Sequence, residues 1–108
     1  MNILNTEITF EAVLFADTKQ VTIYSVLEDN VEEVAEYDSL EAAEKHGWGI
    51  ENAPMDSGLD DASAHRAHLN IPWISGITES QESTLRALAE DWEGSIPELI
   101  EAAKALAD

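Results

Sequence analysis

The chain reads as an α+β domain: a small antiparallel sheet of three to four strands, opened by an N-terminal meander, packed against a short helix and a C-terminal helical hairpin. Three observations predict it. Residues 7–16 and 21–28 alternate with period two and are rich in β-branched and aromatic side chains. Residues 78–107 carry two helix-capping patterns, each followed by an apolar stripe at helical spacing. Finally, 108 residues with 44% apolar content suffice for one real core, and no linker, repeat or low-complexity segment divides residues 1–108, so they make a single acidic domain.

In the first strand Ile8, Phe10, Ala12 and Leu14 share one side, and Thr9, Glu11, Val13 and Phe15 the other. A polar turn at 17–20 leads to the second strand, with Val21, Ile23, Ser25 and Leu27 opposite Thr22, Tyr24 and Val26, which completes a hairpin. Residues 31–37 fit strand or helix. One helix continued through Leu40 would put that residue about 180° from Val31. A third strand followed by a short helix is preferred, with Asp38 as cap, Glu41 three residues on, and Gly47 as the stop. Residues 48–70 are the least regular, broken by Gly49, Pro54 and Gly58, with room for a short helix over 59–69. Pro72 biases Ile71 away from helix, so 71–77 reads as a fourth strand or a buried connector. Thr78 and Gln81 then form a capping box, with Leu85, Leu88, Ala89 and Trp92 as the stripe. Glu93-Gly94 breaks that helix. Ser95 with Glu98 forms a second box, with Pro97 in the first turn and Ile96, Leu99, Ile100, Ala103 and Ala107 as the next stripe.

Charge is the outlier. The chain holds 23 Asp and Glu against five Lys and Arg, a net charge of −18. The acids are spread from end to end, and they are densest over 28–44, where Glu28, Asp29, Glu32, Glu33, Glu36, Asp38, Glu41 and Glu44 occur with no Lys or Arg. Such a run does not help folding, since two like charges about 10 Å apart in water cost about 0.4 kcal/mol before screening. The balance opposes direct binding of nucleic acid or anionic membrane and favours basic partners. With no cysteine there is no disulfide, thiolate nucleophile or Cys-ligated zinc. The N-terminus lacks a signal-peptide pattern and no apolar run reaches membrane-span length, so a cytoplasmic protein is expected, in a host cell if phage encoded.

Candidate chemistry is sparse. Asp61, His65 and His68 would share a face if helical, but no further metal ligand is positioned, and a polar helix face is the preferred reading. No serine sits in a nucleophile elbow, and carboxylate pairs such as Glu32 with Glu33 arise by chance among so many acids. No enzyme, metal or cofactor is expected. The C-terminal hairpin has the outline of a helix-turn-helix, yet its second helix offers Lys104 against Glu98, Glu101 and Asp108, which disqualifies it as a DNA reader. Of Trp48, Trp73 and Trp92, Trp48 lies between two glycines in an expected loop and is the best-placed partner anchor.

These features point to an inhibitor that presents carboxylates to the basic groove of a nucleic-acid-binding protein. DNA carries a charge about every 1.7 Å along its axis, whereas one strand or helix face offers a carboxylate only every ~6–7 Å, so a mimic needs several elements. The stretch 28–44 together with Glu90, Asp91 and Glu93 supplies them. In size and composition the chain resembles the small acidic inhibitors of phages and mobile elements, such as anti-restriction DNA mimics and some anti-CRISPR proteins. Asp91-Trp92-Glu93-Gly94, followed after Ser95 by Ile96-Pro97-Glu98, is similar to a short acidic segment of ArdA-type anti-restriction mimics over about eight residues with one insertion. The expected partner is a basic nucleic-acid-binding protein or nuclease, engaged by a monomer or homodimer. The alternatives are an immunity or antitoxin protein capping a basic nuclease toxin, and a halophilic housekeeping domain; 15 Glu against 8 Asp speaks mildly against the latter.

Overall fold

The computed structural model describes residues 3–4, 7–52, 55–56 and 61–107. The expected meander is present as β1 (Thr9–Phe15), β2 (Val21–Leu27) and β3 (Asn30–Tyr37), paired antiparallel in sequence order. The alternation places side chains as expected, with Phe10, Ala12, Val21 and Ile23 all buried on one face. The segment 31–37, which fits either periodicity locally, is a strand because its neighbour β2 supplies a backbone ladder.

A short helix follows, α1 (Leu40–Lys45), but its cap is Ser39 rather than Asp38: the Ser39 side chain accepts from the Ala42 N–H at 3.1 Å. β3 ends at Tyr37, the expected end, with Tyr37 buried, and the chain needs both Asp38 and Ser39 to turn from the strand into the helix. Gly47 does not stop the helix. The helix closes at His46, whose Nδ1 lies 2.8 Å from the Ala42 carbonyl oxygen, and β4 (His46–Ile50) begins at once. Gly47 instead lies at an irregularity in β4 with φ +91°, where a Cβ would stand 2.7 Å from Ile74 Cγ1 and 2.8 Å from the Asn70 carbonyl oxygen.

The main correction concerns 59–69. Residues 59–60 lie outside the described residues, and from Ala62 onward the chain is not a helix but β6 (Ala62–Ile74), a strand of 13 residues that also absorbs the start of the expected 71–77 element. Alanine, arginine and leucine favour helix locally. β6 is nonetheless extended because it is paired on both sides, with β1 along Ala62–Ala67 and with β4 and the two-residue β5 (Met55–Asp56) on the other edge. The sheet order is β3-β2-β1-β6-β4, with β5 beside β6, larger than the three to four strands expected.

The C-terminal hairpin comprises α2 (Glu79–Ala89), with the Thr78–Gln81 capping box in place, and α3 (Ile96–Leu106), whose Ser95 cap accepts from the Glu98 N–H. α2 ends before Trp92, which is half-buried in the connection and donates its Nε1–H to the Ser95 carbonyl at 2.9 Å. Leu85, Ala89, Ile96, Leu99, Ile100 and Ala103 are buried and join the same core as the sheet's apolar face. Each fully buried Leu or Ile contributes about 1.5–3 kcal/mol.

The sheet curls strongly around this core. Tyr37 is on β3 and Trp48 on β4, the two opposite edges, yet Trp48 Nε1 donates to the Tyr37 hydroxyl at 3.0 Å. Four strand spacings would separate these edges by about 19 Å in a flat sheet, beyond the reach of the two side chains. Curvature brings them together over the core, and α1, about 9 Å long, spans the gap between them. Phe10 packs edge-on against Trp48 with ring centroids 5.0 Å apart.

Two outcomes are expected in urea unfolding. Trp48→Ala lowers stability by about 3–5 kcal/mol through loss of the largest core side chain, and Gly47→Ala by more than about 1 kcal/mol through strain and backbone contact. Both should shift the midpoint at unchanged slope. Burial pushes the Tyr37 hydroxyl from 10.0 to about 12, against a smaller opposing pull from the Trp48 hydrogen bond. The neutral phenol is thus the folded form. Its contribution is whole below the unfolded value and is lost as pH climbs to about 12. Tyrosinate absorbance followed against pH should show a late step that Tyr37→Phe lacks.

Candidate functional site

The strand β3 and its surroundings hold most of the expected carboxylates. Glu28 and Asp29 occupy the β2–β3 turn, with Glu28 at φ +54°. Glu32, Glu33 and Glu36 lie on β3, Asp38 follows it, and Glu41 and Glu44 lie on α1; all eight are exposed. Among the described residues Glu41 alone of the eight is ion-paired, with Lys45 at 3.8 Å one helical turn away, and Glu32 accepts a long 3.5 Å hydrogen bond from Asn30. The stretch therefore projects from a turn, a strand and a helix, as its sequence suggests.

Its geometry differs from a regular strand. Tyr24 pairs with Glu33 and Ile23 with Ala35, leaving Val34 as an extra residue, a β-bulge. Glu32, opposite Ser25, leans to the helix-bearing side. Glu33 and Glu36, opposite Tyr24 and Thr22, share the outer, convex face. Without the bulge, residues three apart would face opposite ways. The bulge also lets Val34 and Ala35, adjacent in sequence, both be buried.

The second acidic group, Glu90, Asp91 and Glu93, is exposed in the α2–α3 connection. The fold carries part of it to β3: a cleft of about 580 Å³ is lined by Asn30, Glu32, Glu33 and Val34 on one wall and by Trp92, Glu93, Gly94 and Ser95 on the other. A further cleft of about 340 Å³ continues along Val34, Ala35 and Glu36 opposite Ser95 and Pro97. Acidic residues about sixty positions apart in the chain thus line one groove. Asp38, Glu41 and Glu44 do not line it.

The tryptophans exchange roles. Trp48, expected as the surface anchor, is 1% exposed and committed to Phe10 and Tyr37. Its flanking glycines belong to a strand, not a loop. Trp73 is instead 54% exposed, with its ring edge-on to His68 at 5.6 Å. Gly49 lies beneath this pair, and a Cβ there would fall within 2.4 Å of His68 Nε2. The Pro72-Trp73 step at a strand end, where the alternation fails, was the available sign that Trp73 turns outward.

The shared helical face weighed for Asp61, His65 and His68 does not exist. Asp61 sits in a turn at φ +58°, His65 pairs with Ala12 and His68 with Gly49, and residues three apart on a strand diverge. His65 is also occupied, with Nδ1 2.8 Å from the Glu51 carbonyl oxygen and Nε2 3.0 Å from Ser63 Oγ. Among the described residues no group of three or more His, Asp or Glu could hold a metal ion, and no helix is long and apolar enough to cross a membrane.

A cleft of about 590 Å³ at the other end of the sheet is lined mainly by apolar side chains, among them Leu14, Phe15, Val21 and Leu40. It shares no residue with the acidic groove. The chain matches no family model, no curated protein and no solved structure.

Because the outer carboxylates repel one another without counter-ions, Glu33→Gln with Glu36→Gln should raise the urea midpoint in dilute buffer. The gain, about 0.5 kcal/mol, should vanish at molar salt. A loss of stability at both salt concentrations would mean that these carboxylates serve the fold.

Proposed function

We propose that the protein is an acidic inhibitor that mimics nucleic-acid charge and occupies the basic groove of a nucleic-acid-binding protein, such as a host defence nuclease of the restriction or CRISPR type. The observation that carries this reading is the groove between β3 and the α2–α3 connection, lined by Glu32 and Glu33 on one side and by Glu93 on the other. A strand edge and a helical connection together place carboxylates more densely than either element can, which is what a mimic of a phosphate backbone requires. Lys and Arg number five in the chain, and two of them, Lys45 and Arg86, are in local i,i+4 pairs. The field outside the protein is therefore strongly negative, speeds encounter with a basic surface, and repels nucleic acid itself. No catalytic step enters this reading.

The test is competition. The protein should displace duplex DNA from a basic-groove defence nuclease, with an affinity that falls steeply as salt rises. Reversing the groove residues Glu32, Glu36 and Glu93 to Lys turns attraction into repulsion at three positions. At about 1 kcal/mol each, affinity should drop about 100-fold. Binding that survives both salt and reversal, or that leaves DNA on the nuclease, would sink the proposal. Folding in dilute buffer is expected in parallel, where a salt-requiring domain would melt.

A further inference from the structure

β3 is an edge strand of eight residues, and among the described residues nothing pairs with its outer side. The opposite edge is built differently: β4 has five residues, two of them glycine, an irregular register, and α1 packed beside it. Exposed edges are templates for further strands, and proteins usually blunt them with short length, proline, charges or bulges. β3 is long and has no lysine or proline; its protection is the bulge at Val34 and its negative charges. It carries Glu32, Glu33 and Glu36 with Val31, which is 58% exposed.

These glutamates select what can pair there. A second copy of β3 would bring three carboxylates against three, with opposed side chains about 5 Å apart, so self-pairing is disfavoured. An extended segment bearing Arg or Lys would meet the same carboxylates as counter-ions. The outer side of β3 is open among the described residues, and beside it two consecutive clefts run from Asn30 to Glu36 on the helix-bearing side, bounded by Trp92, Glu93 and Pro97, where side chains of an added strand can lie. Trp92 offers an aromatic face for an arginine, and Glu93 a further carboxylate. The bulge at Val34 limits regular pairing to part of the strand, and side-chain contacts with the groove continue beyond it.

We infer that the partner is engaged through an extended, arginine- or lysine-rich segment that adds to the sheet at the open edge of β3. This rests on the reading of the protein as an inhibitor of a basic partner and specifies how that partner is held. Main-chain hydrogen bonds to β3 supply register, and the glutamates supply selectivity.

The probe is an eight-residue peptide of alternating arginine and valine, titrated into the intact protein, with amide hydrogen exchange as readout. Exchange should slow at alternate residues of β3, whose outward N–H groups become bonded. The same peptide N-methylated at every second residue should bind at least about tenfold more weakly, and a glutamate–valine peptide should not bind. Absence of binding, equal affinity of the methylated peptide, or binding with no protection on β3 would each overturn the inference. The competition experiment separates the two claims: displacement of DNA without β3 protection leaves mimicry standing and removes the edge mode, whereas β3 protection without displacement of DNA does the reverse.

Discussion

The hydrogen bond from Trp48 to Tyr37 joins the two edges of the sheet, and the rest of the architecture depends on the curvature it demands. It is possible only if five strands wrap around a common core, and that wrapping leaves a concave side for α2 and α3 and a convex side on which Val13, Thr22 and Ala64 are still buried. Tyr37 also stacks obliquely on His46, with ring centroids 4.9 Å apart, so the exit of β3 and the entry to β4 are held against each other across α1. An unpaired indole N–H or phenol buried at this point would cost about 1–3 kcal/mol. Each satisfies the other, and among the described residues no buried side-chain polar atom lacks a partner.

Curvature also decides where the charge goes. The core takes no carboxylate: nearly every described Asp and Glu is exposed, with Glu11 and Glu82 half-buried. On the convex face a row of paired positions runs Glu33, Tyr24, Glu11 and Arg66, so this face mixes signs. At the β3 edge the compensation stops. There the acids of the strand meet those of the α2–α3 connection, and no Lys or Arg lines either cleft. This groove therefore carries carboxylates with no lining cation, beside a strand edge that nothing pairs among the described residues.

Legibility in the sequence followed how local each cause was. β1 and β2 announce themselves by alternation, and the caps at Thr78 and Ser95 are side-chain bonds to a backbone N–H three residues on, so they appear in sequence as they do in space. β6 was hidden because the residues it packs inside the sheet, Ala62 and Ala64 on one face and Ala67 on the other, are small, suit a central strand between β1 and β4, and carry no hydrophobic period. The bulge at Val34 was hidden for a related reason. Val34 and Ala35 side by side fit a helix stripe as well as a bulged strand, and only pairing with Ile23 and Tyr24 selects between them.

By itself, the sequence determined the α+β class, the meander, the two capped C-terminal helices and a net charge of −18, because these follow from short-range periodicity, capping and composition. Tertiary structure decided which carboxylates act together and which tryptophan is exposed. It placed Glu93 across a groove from Glu32 and Glu33, turned Glu33 and Glu36 to one face, buried Trp48 and left Trp73 outside. Those outcomes depend on strand order, register and sheet curvature, which are set by contacts between residues far apart in the chain.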